Sequence, residues 1–203
     1  MESKAKTRAA VGTRPPRLAL TGSAGVGKTS LGLRLAAELD VPFIPEGMRA
    51  RIEAGLDLHT LNRDQHRTLL EQLFEEMLTA TRNATETHGG FVADRCSIDC
   101  AAFWLYYGFG NDTDATAVVF EIAEAALELY DLIVVLPWDG IPLAADGVRS
   151  ANRWHQLHYQ SLLEGLLARW ASNDQVAPMP ADVIDIAARA AWVHERLNTC
   201  SAD

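Results

Sequence analysis

Short apolar runs alternate along the chain with longer stretches whose apolar residues recur every three or four positions. Arg17 to Thr21 reads as a buried strand stopped by Gly22. From Lys28 to Leu39, Leu31, Leu35 and Leu39 fall on one helical stripe with Ala36 beside them. Val41 to Ile44 is a second short strand, broken by Pro45. A long helix is predicted from about Asn62 to His88, where Leu69, Leu70, Leu73, Phe74, Met77 and Leu78 share a face and Gly89-Gly90 stop it. Gly90 to Asp94 is a third strand, ending on a carboxylate. Helices are predicted over Ser97–Tyr107, Asp114–Tyr130, Arg153–Trp170 and Asp182–Leu197. Leu132 to Leu136 is five consecutive apolar residues, the pattern of a strand covered on both faces. A loop spans Trp138 to Ser150, and a fifth strand is predicted near Gln175–Ala177. Strands alternating with helices predict an α/β fold, a parallel sheet with helices on both faces.

Length and composition narrow this picture. At 203 residues one domain is expected, over 17–203, and no apolar stretch is long enough to span a membrane. Three cysteines, Cys96, Cys100 and Cys200, without CxxC spacing argue against a disulfide framework or a structural zinc site, and point to a reducing, cytoplasmic setting. The net charge of −9 argues against a dedicated double-stranded DNA binder. Yet residues 1–17 hold Lys4, Lys6, Arg8, Arg14 and Arg17 against Glu2 alone. Residues 1–16 therefore read as a flexible basic tail without the apolar core of a secretory signal; it is either a solvated arm or one that touches a polyanion.

The sharpest chemical signal is Gly22-Ser23-Ala24-Gly25-Val26-Gly27-Lys28-Thr29, which fits G-x-x-x-x-G-K-[ST] between a predicted strand and a predicted helix. Glycines let successive backbone N–H groups turn inward on a phosphate, and the helix N-terminus, with Ser30 in its first turn, adds partial positive charge. Lys28, expected to face solvent beside the nucleotide, supplies a point charge for the β- and γ-phosphates; Thr29 supplies a hydroxyl for Mg²⁺.

In parallel sheets ligands gather outside the carboxyl ends of the strands. Glu46 and Arg49 follow the second strand, Asp94 and Arg95 the third, and Asp139, Asp146, Arg149 and Arg153 come after the fourth. Asp94 stands where such proteins hold Mg²⁺, and Glu46 is a candidate general base for an acceptor hydroxyl. Arg49 and Arg95 are candidates for steadying an anionic substrate or the transferring phosphoryl group. Arg149 and Arg153, four apart, would share a helical face and form a lid near 138–153 that spreads positive charge over a transition state. His155 and His158 are a weak metal pair. Phe103, Trp104, Tyr106 and Tyr107 read as core first and as base-stacking groups second.

Four segments in order, GSAGVGKT at Gly22–Thr29, PEGMR at Pro45–Arg49, ADRCSIDCAAFW at Ala93–Trp104 and DGVR at Asp146–Arg149, resemble the small P-loop kinases related to the ribosylnicotinamide kinase domain of NadR. More distantly the chain is similar to deoxynucleoside kinases and to phage kinases that phosphorylate 5-hydroxymethyluracil within DNA. The resemblance implies a P-loop NTPase three-layer sandwich with a five-stranded parallel sheet of order 2-3-1-4-5. It also implies ATP and Mg²⁺, and a nucleoside-like acceptor, either free or a modified base within DNA. Lys28 and Thr29 would take the phosphate and metal roles, Glu46 or Asp94 the base role, and Arg149 and Arg153 the lid role. The alternative of another class is a P-loop ATPase acting as a switch or motor.

Overall fold

In the computed structural model, residues 14–140 and 152–200 are described. Five strands, β1 (Arg17–Thr21), β2 (Phe43–Ile44), β3 (Phe91–Asp94), β4 (Leu132–Val135) and β5 (Val176–Pro178), form one sheet of order β2-β3-β1-β4-β5 in which every pairing is parallel. The helices are α1 (Lys28–Leu39), α2 (Gly47–Glu53), α3 (Arg63–His88), α4 (Ser97–Tyr106), α5 (Thr113–Ala125), α6 (Arg153–Trp170) and α7 (Ile186–Cys200).

Side chains along a strand point alternately to the two sheet faces, and here each face has its own core. Leu18, Leu20, Val92, Leu132 and Val134 pack under α1 and α7, against Leu31, Leu35, Ala190 and Val193. Ala19, Ala93, Ile133 and Val135 pack under α3, α4 and α6, against Phe74, Leu78, Ile98, Ala101 and Leu163. The small residues Ala19 and Ala93 let these helices approach the centre of the sheet.

Local chemistry sets the element ends. Asn62 and Gln65 close a reciprocal cap on α3, and Gly89, at φ 76°, ends it. The chain leaving α3 presses on the start of β1: a Cβ on Gly90 would lie 2.6 Å from the Pro16 carbonyl. At the same pole Asp131 accepts from Arg14 Nη1 at 2.8 Å and Arg17 Nη2 at 2.7 Å. Arg14, read from sequence as part of the basic tail, is thus fixed to the domain, opposite the phosphate loop; residues 1–13 lie outside the described residues.

Three expectations shift. The helix predicted to Tyr130 ends at Ala125, and a 3-10 turn over Ala126–Leu129 tucks Ala126 and Leu127 under the sheet before β4. The last helix starts at Ile186 because Asp185 caps it, accepting from the N–H groups of Ala187 and Ala188. Helix α2 was not expected: none of its residues is buried, so it has no apolar stripe to read.

Candidate active site

The strand β1 delivers the chain to a tight loop. Gly22 adopts φ 131°, and a Cβ there would meet the Leu136 carbonyl at 2.8 Å. Gly27, at φ 89°, is the N-cap of α1, so the orphan N–H groups of the helix face the loop's concave side. Helix α6 braces this loop: Ser23 N donates to Gln160 Oε1 at 2.7 Å, and Gln156 Nε2 donates to the Ala24 carbonyl at 2.9 Å.

Lys28 departs from expectation. It is 5% exposed rather than solvent-facing, and its ammonium is folded back onto the carbonyls of Gly22 (3.0 Å) and Ser23 (2.8 Å). Two loop carbonyls thus take the hydrogen bonds of the charged tip. Burial, and next the charge of Arg95, lower its pKa to about 8, against the pull of Asp94, Glu46 and Asp99.

Thr29 Oγ1 donates to Asp94 Oδ2 at 2.6 Å, which joins the end of the loop to the end of β3. Asp94 is 4% exposed, and its other oxygen, Oδ1, is buried without a partner among the described residues. A buried carboxylate oxygen with nothing to accept from, beside a hydroxyl, is a hard-oxygen donor set that fits Mg²⁺. No cluster of three or more His, Cys, Asp or Glu capable of holding a metal occurs among the described residues, His155 and His158 included.

Arg95 follows with φ 96°, a left-handed conformation rare for a residue with a side chain. Its guanidinium donates to Glu46 Oε1 at 2.6 Å and Asp99 Oδ1 at 2.8 Å, and lies 4.7 Å from the Phe103 ring centre. Asp99 is fully buried and saturated: Tyr159 Oη gives it a bond of 2.7 Å, Thr21 Oγ1 one of 2.6 Å and the Cys96 N–H one of 2.9 Å. Thr21, Asp99, Tyr159, Arg95 and Glu46 are therefore one continuous network from β1 to the start of α2.

Glu46, Asp94 and Arg95 form the polar wall of a cavity of about 90 Å³, otherwise lined largely by Met48, Leu70, Leu73, Met77, Phe103 and Tyr107. Phe103 and Tyr107 are stacked, with ring centres 6.1 Å apart and planes 22° apart. Trp104 instead lies in the core, 2% exposed. Cys100 also lines the cavity, and burial raises the pKa of its thiol.

The remaining expected residues are elsewhere. Arg49 sits on α2, 3.7 Å from Glu53, and is not among the cavity-lining residues. Arg153 opens α6 as a half-exposed group, paired with Asp139 at 2.8 Å and lying 5.5 Å from the Trp138 ring and 5.2 Å from the Trp154 ring. Helix α6 begins at Arg153 on its cap Asn152. Arg149 and Asp146 lie outside the described residues.

Sequence reasoning missed Asp99, Gln156, Tyr159, Gln160 and Arg189. A readable signal existed: Gln156, Tyr159, Gln160 and Leu163 are buried at i, i+3, i+4 and i+7 on α6, so polar residues occupy its core-facing positions.

A strand, a glycine loop and a helix joined to a strand-end aspartate define the class of P-loop nucleotide-binding proteins. Within it the chain belongs to the AAA domain family, whose model matches residues 17–189. No curated protein sequence matches the chain. Among solved structures it is similar to NadR in complex with NR, at 20% identity and a TM-score of 0.63 over 93% of this chain and 52% of that one. It is also similar to deoxyadenosine kinase from M. mycoides (14%, 0.59, 90% and 98%). Shikimate kinase from Acinetobacter baumannii shares the fold as well (13%, 0.56, 93% and 96%). The chain spans about half the length of NadR. These likenesses establish the fold, including the 2-3-1-4-5 parallel sheet.

Proposed function

We propose that the protein is an ATP-dependent kinase that transfers the γ-phosphoryl group to a hydroxyl of a nucleoside-like acceptor. The observation that carries this reading is the juxtaposition of Glu46 with the Thr29–Asp94 pair at the wall of an apolar, aromatic-lined cavity. A hydrolase needs water at that point, whereas this cavity offers stacking and van der Waals contact to a flat, largely apolar body. The kinases among the similar structures agree with it.

The residues divide the work as follows. The loop from Gly22 to Ser30 cradles the phosphates with its N–H groups, and Lys28 leaves the carbonyls of Gly22 and Ser23 to meet them. Thr29 and Asp94 would hold Mg²⁺, which when bound neutralises phosphate charge. Glu46 is the general base: both carboxylates border the cavity, but Asp94 is committed to Thr29 and would hold Mg²⁺, whereas Glu46 is aimed by Arg95. As Glu46 accepts the hydroxyl proton, the acceptor oxygen bonds to the γ-phosphorus and the bond to the β-bridging oxygen breaks, releasing ADP. Arg95 serves by orienting Glu46, with its Asp99 anchor limiting its reach to substrate. Arg49 and Arg153, with Arg149, remain proposed phosphate-steadying groups that would engage only with substrates bound. The acceptor is proposed to be free in solution, and a modified base within DNA is an outcome of the test. Cys96 and Cys100 are free thiols, and no helix among the described residues is long and apolar enough to cross a membrane; the cytoplasmic setting is part of the proposal.

An ATP-consumption screen against nucleosides, nicotinamide riboside and hydroxymethylated DNA tests the reading. Consumption that starts only when one acceptor is added is expected. Steady hydrolysis that no acceptor changes would favour the switch or motor ATPase that the AAA family assignment keeps as the second reading.

A further inference from the structure

Arg189, on the first turns of α7, is 2% exposed and makes no ion pair among the described residues. Its Nη1 donates to the Val26 carbonyl of the phosphate loop at 2.7 Å, and its Nε to the Val183 carbonyl at 2.8 Å. Its Nη2 is buried without a hydrogen-bond partner among the described residues. Such a group is costly: a guanidinium out of water with one amino group unsatisfied is stabilised neither by a carboxylate nor by solvent. Burial lowers its pKa, in keeping with that cost.

Its position says what could complete it. A Cβ built on Gly140 would lie 3.8 Å from Nη2 and 3.6 Å from the Ala181 carbonyl. The free amino group therefore lies where the segments after β4 and β5 come together beside the loop. The Thr29–Asp94 pair lies at the end of β3, on the other side of β1, so the γ-phosphate of a bound triphosphate would sit on that side. A chain of three phosphates laid through the loop must carry its nucleoside out on the side away from the γ-phosphate. That is the β4–β5 side, where Nη2 waits. The loop's phosphate-facing groups are its N–H donors, so the Val26 carbonyl that Arg189 holds belongs to the loop's outer surface, which places Nη2 outside the phosphate cradle.

We infer that Arg189 recognises the base of the donor nucleotide, its Nη2 donating to a ring nitrogen or carbonyl oxygen on the base edge. Arg189 then sets which nucleoside triphosphate the loop retains, and it does so from α7, with Nη1 and Nε fixing the guanidinium plane. This inference rests on nucleotide binding at the loop and not on the kinase reading, so it survives even if no acceptor is found.

The test is equilibrium binding of ATP and of base-free tripolyphosphate to the wild type, Arg189→Lys and Arg189→Met, with melting curves for each. The expected result is that both variants bind ATP at least about tenfold more weakly, the scale of one lost hydrogen bond from a charged donor, while tripolyphosphate binding is unchanged. Equal weakening of the two ligands would overturn the inference, because it would make Arg189 a brace for Val26 or a phosphate contact. Unchanged binding of both would overturn it as well. If neither variant folds, the wild type decides: ATP binding no tighter than that of tripolyphosphate contradicts base recognition, and ATP binding at least about tenfold tighter supports it.

Discussion

Arg95 and Arg153 stand on opposite sides of the phosphate loop, and the protein holds them in opposite ways. Arg95 is buried, locked in a left-handed backbone, and shared between Glu46 and Asp99. Arg153 is 52% exposed and meets a half-exposed Asp139. The β3 side of the site is thus built before any ligand arrives. Arg153, after β4, stays in water, where an ion pair is worth little and is readily exchanged. Catalysis by positioning needs the first arrangement, because a general base must already point at the acceptor. Capture and release of a charged substrate need the second.

The contrast breaks most sharply at Glu46. Glu46→Gln should lower kcat by about 10²–10⁴-fold with ATP affinity nearly unchanged, whereas Arg153→Ala should act less on kcat; steady-state kinetics on the acceptor found by screening checks this. Lys28→Ala should lower transfer by at least about 10²-fold, the scale of one lost transition-state donor, with the melting temperature little changed. Near-normal turnover would remove the loop from the chemistry.

A stability comparison sharpens the same point. Asp99→Asn should cost about 3–5 kcal/mol in chemical unfolding, since it strips a saturated buried carboxylate from Arg95. Arg153→Ala should cost under about 1 kcal/mol. Equal costs would mean that the two sides are not built differently.

The smallest effect is in pH. The folded, ligand-free protein holds Lys28 at a pKa of about 8, below the ordinary 10.5. Between these values the unfolded chain binds more protons, so this group makes stability rise as pH climbs from about 8 to 10.5. Above about pH 8, nucleotide binding should then take up a proton, measurable by calorimetry in buffers of different ionisation heat.

The same contrast explains what the sequence disclosed. The β1–loop–α1 unit was legible because a backbone anion site needs glycines at fixed spacing, and Gly22, Gly25 and Gly27 with Lys28 and Thr29 all fall within one eight-residue segment. The strands and α3 were legible from apolar period alone. The network around Asp99 was not, because Thr21, Arg95 and Tyr159 come together only through the parallel pairing of β1 and β3 and the packing of α6 on α4. Lys28 was misjudged for a physical reason: a lysine is ordinarily exposed, and only the curled loop brings two carbonyls within its reach. Arg189 left no local pattern, since its partners Val26 and Val183 are defined by tertiary contact.

The fate of the γ-phosphoryl group tests the kinase reading most directly. Incubation with γ-labelled ATP, Mg²⁺ and the acceptor found by screening should place the label on the acceptor hydroxyl in a one-to-one ratio with ADP formed, and Glu46→Gln should slow that transfer by about 10²–10⁴-fold. Label recovered only as inorganic phosphate, at a rate the acceptor does not change, would contradict it.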